Sequence, residues 1–319
     1  MSRSLETITH TETRSFAAEQ AGRRLGRLAF QVNQTVKSRD AGAVHDLRVA
    51  IRRFSQVLRI FKSGFRTKEI RKIRRELKQT MKLAGEVRNC DIALKLLSKS
   101  KRTGAAALRP ELEKLRSERE RALVGFLRQW VNRKSSLKWR NAVATALTKN
   151  GGELSKVSIG TTATQILPRM AEKFVDRGND AARTKASPRD LHQFRIASKR
   201  FRYTLELFTS VYGRSMNASL NKIKRVQKLL GDINDCETVR TMVEQYKGPA
   251  VVTAWLKKRQ RRRIEEFQRY WAETFVPRGA ARSWSAFLRR PAGSVQQVRK
   301  PAGRAGAAEK AANRSAAVA

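Results

Sequence analysis

The sequence predicts an all-α protein made of two similar helical halves. Apolar residues recur with helical periodicity through most of the first 275 residues, and no convincing β-alternation interrupts them. Three short motifs appear twice, in the same order and at nearly one offset. The turn-rich stretch "NGGELSKVSIG" (150–160) separates the two copies. We therefore expect two halves, at about 10–150 and 151–276, that arose by internal duplication.

The helical pattern divides into two series of amphipathic segments, each with an apolar stripe and a polar face. The first series is predicted near 14–38, 43–62, 67–84, 90–101, 108–131 and 136–148, and the second near 160–184, 188–211, 216–230, 235–247 and 250–275.

The repeated motifs pair one half with the other. His45 corresponds to His192, at an offset of 147 residues. "LAGEVRNCD" (83–91) corresponds to "LLGDINDCE" (229–237), and "FLRQW" to "FQRYW", at offsets of 146 and 141 residues. Three elements in one order at similar offsets predict a gene duplication.

The composition changes beyond Pro277. Residues 277–319 are rich in Ala, Gly, Pro and basic residues, and large apolar side chains become scarce. Such a segment buries too little apolar surface to fold, so we predict a disordered basic tail.

The chain is strongly basic, with 70 Lys and Arg against 27 Asp and Glu and a formal net charge of +43. Because 40% of its residues are hydrophobic, it has enough apolar material for a core, and the charge belongs to the surface of a folded protein. Like charges at this density repel each other. A polyanion would relieve the repulsion, and the candidates are nucleic acid, an anionic membrane surface and inorganic polyphosphate.

Neither a secretory signal nor a membrane span is apparent, since the N-terminus lacks an apolar core and no stretch approaches about 20 apolar residues. Cys90 and Cys236 form no C-x-x-C pair, so we expect two reduced, inert thiols. The predicted location is the cytoplasm.

One repeated helix carries the most informative pattern, in "VHDLRVAIRRFSQVLRIF" (44–61) and "LHQFRIASKRFRYTLELF" (191–208). Successive residues of a helix are 100° apart, so the cationic positions fall on one face and the apolar positions on the opposite face. The cationic face holds His45, Arg48, Arg52 and Arg59 in the first copy, and His192, Arg195 and Lys199 in the second.

This cationic ladder suits an extended polyanion. Seven residues separate His45 from Arg52, which is about 10 Å along the helix axis. Arg grips phosphate oxygens in pairs, Lys supplies a compact charge, and His supplies a donor that depends on pH. Neighbouring cations should depress the histidine pKa and bound phosphate should raise it, so binding would take up protons. The alternative is an ordinary solvated face.

Further cations lie on neighbouring predicted helices, and they would merge with the ladder into one basic trough if those helices pack beside it. Charge runs of this kind are usually solvent-facing. The cations are Arg71, Arg74, Arg75, Lys78 and Lys82, then Lys224, Arg225 and Lys228, and then Arg259, Arg262, Arg263 and Arg269.

Two glycines are interpreted as helix junctions. Gly85 and Gly231 suit a position just past a helix end, where a left-handed backbone costs glycine little. Asn89 and Asp235 then suit the N-cap of the following helix. A second interpretation gives Arg88 a contact with the ligand.

The paired motifs "HDLRVAIRRF" and "LHQFRIASKRFRYTLELF", with "LAGEVRNCD" and "LLGDINDCE", resemble the conserved histidine α-helical domain, CHAD, over roughly residues 10–275. The resemblance implies two pseudo-symmetric four-helix-bundle halves around a basic central groove or pore that binds inorganic polyphosphate. Several members associate with polyphosphate granules. The family's basic set maps onto His45, Arg48, Arg52 and Arg53, and onto His192, Arg195, Lys199, Arg200 and Arg202.

This sequence departs from the family pattern at the glycine motif. Asn89 stands where an Asp usually follows Arg, and Arg88 has Asn234 as its counterpart, which leaves the binding role of this motif open. Some members carry an N-terminal triphosphatase domain with a Glu-x-Glu-x-Lys strand. "ELEKL" (111–115) matches that strand poorly and lies on a predicted helix.

Three functions compete. We expect a polyphosphate-binding module without catalysis, cofactor or metal. Nonspecific nucleic-acid binding is the alternative, although aromatic residues for base stacking are sparse at 7%. An enzyme acting on phosphate esters is the third, but neither basic face carries clustered carboxylates for a metal or water. The candidate binding residues are His45, Arg48, Arg52, Arg53, Lys78, Lys82, His192, Arg195, Lys199, Arg200, Arg202, Lys224 and Lys228.

Overall fold

The structure is a computed structural model that describes residues 5–100, 102–277 and 280–291. Within these ranges the chain forms α-helices and two short 3₁₀ turns, with no β-strand. No helix of this part of the chain is both long and apolar enough to cross a membrane. The all-α prediction is confirmed.

The helices alternate between long, packed rods and short connecting turns. In chain order they are α1 (Leu5–His10), α2 (Thr13–Ser38), α3 (Ala41–Ile60), α4 (Lys68–Leu97), α5 (Arg109–Asn132), α6 (Ser135–Asn150), α7 (Gly152–Ser155), α8 (Ile159–Ala182), α9 (Pro188–Leu207), α10 (Thr209–Tyr212), α11 (Met216–Gln245), α12 (Ala250–Phe275) and α13 (Ala280–Leu288).

Two groups of long helices form a helical bundle. Helices α2 to α6 pack together, and so do α8, α9, α11 and α12. The groups meet where α3 packs against α9 and where α4 packs against α11. Helices α3 and α9 are therefore neighbours in space, although about 150 residues separate them in sequence. Their origin by duplication stays a prediction.

The two basic helices have well-defined starts. The side chain of Asp40 caps α3 by accepting a hydrogen bond from the backbone N–H of Ala43 at 2.7 Å. Ser187 and Asp190 form a reciprocal capping box at the start of α9. Because a cap fixes where a helix begins, it also fixes which way the cationic positions face.

An aromatic cluster holds the far ends of these two helices together. The ring centroids of Phe16 and Phe61 are 6.2 Å apart, those of Phe16 and Phe208 also 6.2 Å, and those of Phe61 and Phe208 6.4 Å. Between the helices, Gln56 Nε2 donates a 2.8 Å hydrogen bond to Thr204 Oγ1, and both residues are buried. Apolar packing and one satisfied polar pair thus set the spacing of α3 and α9.

The helix junctions predicted at Gly85 and Gly231 are wrong. Each glycine lies inside a helix of 30 residues, α4 and α11. An interior glycine costs a helix about 1 kcal/mol relative to alanine, which the packing of a long apolar stripe offsets. The stripes continue straight across each glycine, through Ala84, Val87 and Cys90 in α4 and through Leu230, Ile233 and Cys236 in α11.

The predicted tail boundary at residue 277 is also corrected, because α13 follows it and packs on the second group of helices. Trp284 Nε1 donates a 2.7 Å hydrogen bond to Ser219 Oγ, and Tyr212 donates one of 2.6 Å to the carbonyl of Leu288. The segment contains the Trp, Phe and Leu that the later residues lack. Residues 292–319 of the predicted tail lie outside the described residues.

Both cysteines are free and buried, on different helices, as the sequence predicted. Burial raises the pKa of the Cys90 thiol, and it raises that of Cys236 to about 11. At neutral pH both groups are therefore protonated, which agrees with the expectation of inert thiols.

Candidate anion-binding site

A cavity of about 650 Å³ lies between α3, α4 and α9, where the two groups of helices meet. A volume of this size is typical of ligand sites. Its lining consists of Arg48, Ile51, Arg52, Ser55, Gln56, Arg59, Lys62, Arg74, Leu77, Lys78, Met81, Arg195, Ile196, Lys199, Arg200 and Tyr203.

Nine of these sixteen lining residues are Arg or Lys, and none is Asp or Glu. Three helices and the turn after α3 supply the cations, so the charge surrounds the cavity rather than covering one side. Charge of one sign along a low-dielectric wall focuses the electrostatic potential inward. The lining is therefore suited to an anion that carries several charges.

The α3 wall is anchored through Arg48. This half-buried side chain donates a hydrogen bond from Nη1 to the carbonyl of Met81 on α4, at 3.2 Å. Its guanidinium also rests against the bare Cα of Gly85, where a β-carbon would lie 2.8 Å from Arg48 Nη1. Gly85 therefore provides room for the guanidinium, which explains a glycine in the middle of a long helix.

Gly85→Ala is expected to displace the Arg48 guanidinium and to lower anion affinity severalfold while the fold persists, since a flexible side chain can move aside. The matched control is Gly231→Ala, because a β-carbon there would meet nothing within 4 Å. Both alanines should raise the free energy of unfolding by up to about 1 kcal/mol through helix propensity. Titration and thermal melting of both variants measure this; equal affinities would contradict the role given to Gly85.

The α9 wall is positioned by α11. Arg195 Nε donates a 2.9 Å hydrogen bond to Asn234 Oδ1, and Gln227 Nε2 donates one of 2.7 Å to the carbonyl of Ser198. The carboxyl group of Asp235 lies behind this wall, outside the lining, and burial raises its pKa. Asn234, which corresponds to Arg88 in the first half, carries no charge itself and instead orients the guanidinium of Arg195.

The crowded cations perturb one another. Burial, followed by the charges of Arg195, Arg52 and Arg48, lowers the pKa of Lys199 to about 6. Burial and the charges of Arg52 and Arg88 lower the pKa of Arg48 to about 10. Positive charge is therefore held here at an electrostatic cost, which a bound anion would relieve.

The two histidines lie outside the cavity lining, and both are exposed. The pKa of His45 is lowered, first because neighbouring protein atoms partly desolvate the imidazole and then because of the charge of Arg88. The predicted direction of that shift is confirmed. The helix periodicity placed the histidines on the cationic face correctly, but each lies near the start of its helix, one turn before the cavity begins.

Three other predicted cations divide between the cavity and an ion pair. Arg200 lines the cavity. Arg53 Nε lies 3.0 Å from Glu206 Oε2, and Arg202 Nε lies 3.5 Å from Glu206 Oε1. Arg53 and Arg202 therefore share the carboxylate of Glu206 outside the lining.

The basic runs of the neighbouring helices do not merge with the cationic ladder into a single trough, because most of their cations lie outside the cavity. Lys78 lines the cavity, whereas Lys82, Lys224 and Lys228 are exposed outside it. The cations of α12 do not line it either. Helix α4 also packs against α5 and α11, and of its cations Arg74 and Lys78 line the cavity.

Ten of the sixteen lining residues are not in the candidate set, and they include three cations, Arg59, Lys62 and Arg74, and one aromatic residue, Tyr203. Arg59 belongs to the repeated basic motif at 44–61 and occupies the same helical face as Arg52, and Arg74 belongs to the basic run of the next helix. Lys62 follows the end of α3, and Tyr203 lies on the cationic face of α9, close to the direction of His192 and Lys199. The continuing cationic stripe could have identified Arg59, but the contacts of Arg74 depend on tertiary packing, since its Nη2 donates to the carbonyl of Leu58 at 2.7 Å.

The model of the CHAD-domain family matches residues 19–244, which is more than half of the chain. The chain belongs to the CHAD-domain family. The match spans α3, α4, α9 and α11, the helices that form or support the cavity. Comparison with the curated proteins gives no match.

Two solved structures resemble the fold. The CHAD domain from the plant Ricinus communis matches with a TM-score of 0.66 at 18% identity, over 89% of this chain and 94% of that one. PptA from Streptomyces chartreusis matches with a TM-score of 0.53 at 15% identity, over 82% of this chain and 99% of that one. At these identities the resemblance shows a common helical architecture.

Proposed function

We propose that this CHAD-domain protein binds inorganic polyphosphate in the cavity between α3, α4 and α9, without catalysis. The carrying observation is a lining with nine Arg and Lys side chains and no carboxylate. The polyphosphate role associated with the family supports the choice of anion. Binding of this kind would bring the protein to polyphosphate granules.

The spacing of the cations favours a linear polymer over a single phosphate. Along α3, Arg48, Arg52 and Arg59 span eleven residues, or about 16 Å of helix axis. Arg195 and Lys199 run beside them on α9. A chain with a charge on every unit can contact all of these groups, whereas orthophosphate contacts only a few.

A binding role without catalysis is supported by the type of side chain in the lining. Phosphoryl-transfer enzymes commonly use carboxylates to hold metal ions or to position the attacking water. The lining offers guanidinium, ammonium, amide and hydroxyl groups. Phosphate release during incubation with polyphosphate, with and without divalent ions, tests this part of the proposal.

Calorimetric titration with tripolyphosphate and with a long polyphosphate tests the binding itself. We expect tighter binding of the longer chain, an affinity that falls with salt, and a higher melting temperature in the bound state. Failure of both ligands to bind at moderate salt would remove the proposal.

Nucleic acid is the competing ligand, since the charge of the chain attracts any polyanion. The cavity supplies no exposed aromatic platform for bases, because its aromatic residue, Tyr203, is only 4% exposed. We therefore expect polyphosphate to displace DNA at every salt concentration tested. The reverse order of affinities would favour nucleic-acid binding.

Polyphosphate binding is expected to take up about one proton through Lys199 between about pH 6 and 9. The free group has a pKa of about 6 and is mostly neutral at pH 7.5, and bound phosphate raises that pKa. Affinity should therefore rise as the pH falls toward 6 and level off below it. Calorimetry in two buffers with different heats of ionisation measures the uptake, and Lys199→Met should reduce it.

The same group affects the unliganded protein. Because its folded pKa lies below its unfolded value of 10.5, the unfolded chain binds the extra proton between about pH 6 and 10.5. Lys199 therefore lowers the free energy of unfolding in this window, and less so as the pH rises. Lys199→Met should melt at a higher temperature than the parent at pH 7, and unchanged proton uptake in this variant would contradict the assignment.

A further inference from the structure

A second basic pocket, of about 440 Å³, lies on α12 and shares no lining residue with the central cavity. It lies beside the loop that follows α4. Its lining consists of Arg102, Trp255, Lys258, Arg259, Arg262, Arg263 and Glu266.

The acidic residue of this pocket is already neutralised. The carboxylate of Glu266 accepts hydrogen bonds from both Arg225 and Arg263. Arg263 Nε also lies 3.3 Å from Asp232 Oδ2. Two guanidinium groups and two carboxylates thus balance each other at one edge of the pocket.

The remaining four cations have no carboxylate partner among the described residues: Arg102, Lys258, Arg259 and Arg262. Arg259 is the least solvated of them, since its Nε is buried without a hydrogen-bond partner within the described chain. Its guanidinium lies beside the Cys236 thiol, which burial keeps protonated by raising its pKa to about 11. The thiol therefore supplies no compensating negative charge, and the positive charge of Arg259 remains available to attract an anion.

The pocket also has an aromatic wall, which the charged part of the central cavity lacks. The half-buried indole of Trp255 lines it, and the guanidinium carbon of Arg259 lies 5.8 Å from the indole centroid. An indole and a guanidinium plane both stack on flat rings, while Lys258 and Arg262 are exposed and can reach phosphate oxygens. A bare phosphate chain makes no use of an indole.

We propose that this pocket is a second anion site that binds a ligand joining phosphate groups to a planar ring, which is the chemistry of a nucleotide. The ring packs against Trp255, and the phosphates are held by Arg259, Arg262 and Lys258. The site is independent of the central cavity, so it stands or falls separately from the proposed polyphosphate function.

Calorimetry with ATP, adenosine and tripolyphosphate tests the site in a full-length background that carries alanine at Arg48, Arg52, Arg195 and Lys199. In this background the central cavity contributes little, so ATP binding should stay within about threefold of the parent protein. Arg259→Ala with Arg262→Ala should weaken ATP binding at least tenfold. The matched control, Arg261→Ala with Arg269→Ala, removes two exposed cations of the same helix outside the pocket and should change it less than twofold.

The ring contact is tested at Trp255. Trp255→Leu should weaken ATP binding at least fivefold and tripolyphosphate binding less than twofold, while Trp255→Phe keeps a ring and most of the affinity. Thermal melting confirms that each variant is folded, because Trp255 also packs against the apolar cluster at the ends of α4 and α11. Equal losses in the two double variants, or equal effects of Trp255→Leu on ATP and tripolyphosphate, would overturn the nucleotide assignment.

Discussion

Alanine at Arg48, Arg52, Arg195 and Lys199 together is expected to weaken polyphosphate binding by about a thousandfold or more. These four side chains face one another across the cavity from α3 and α9. A hydrogen bond to a charged group is worth about 1.5–3 kcal/mol, and the losses within one cluster are not additive. A thousandfold loss corresponds to about 4 kcal/mol, well below the sum of four such contacts.

The variant should remain folded. Arg48, Arg52 and Arg195 are crowded together, and burial and their positive charges lower the pKa values of Arg48 and Lys199. Removing them therefore relieves an unfavourable interaction in the unliganded protein. We expect a melting temperature equal to or above that of the parent.

The control is a variant that loses four positive charges outside the cavity. Arg128, Lys138, Arg140 and Lys149 are exposed on α5 and α6 and do not line the cavity. Their replacement by alanine should lower affinity only a few-fold, through the weaker overall field. Equal losses in the two quadruple variants would mean that net charge, not the cavity, binds the polymer, and retained affinity in the folded cavity variant would refute the site.

Phe174→Ala is expected to lower the free energy of unfolding by about 3–5 kcal/mol, the usual cost of truncating a buried phenylalanine. Phe174 on α8 is 1% exposed. Its ring centroid lies 5.2 Å from those of Phe194 and Phe201 on α9, and 5.5 Å from that of Trp271 on α12. This cluster supports the helix that carries Arg195 and Lys199, so its loss loosens one wall of the cavity.

Thermal melting measures this effect, with a drop of about 10 °C or more expected. Phe30→Ala is the matched control, because Phe30 is 47% exposed and contacts the guanidinium of Arg27 on the surface. It should change stability by less than about 1 kcal/mol. Similar melting temperatures for the two variants would contradict the packing described for Phe174.

Long amphipathic helices were predictable because their periodicity is a local property of the sequence. The helix predicted at 43–62 is α3, Ala41–Ile60, with each end displaced by two residues. The helix predicted at 250–275 has the same bounds as α12, Ala250–Phe275. Glycine misled the prediction at positions 85 and 231. A single glycine is a stop signal only where the flanking apolar stripe also ends, and in α4 and α11 the stripe continues.

The cationic faces of α3 and α9 were also predictable, since residues three and four apart share a helix face. The repeated motif and the family resemblance suggested that the two faces meet. The tertiary structure is what places them on opposite sides of one cavity. Arg53 and Arg52 are adjacent in sequence, yet Arg52 lines the cavity and Arg53 pairs with Glu206, 153 residues away. No local pattern encodes such a distant partner.

By itself, the sequence determined the helical class, the large positive charge and the face on which each helix carries its cations, because these depend on residue type and on spacing within one helix. The tertiary structure decided which cations share a cavity, why Gly85 leaves room for Arg48, and that α12 forms a pocket of its own. The physical reason is that side-chain position across helices depends on how apolar surfaces pack, and packing joins residues that are far apart in the chain.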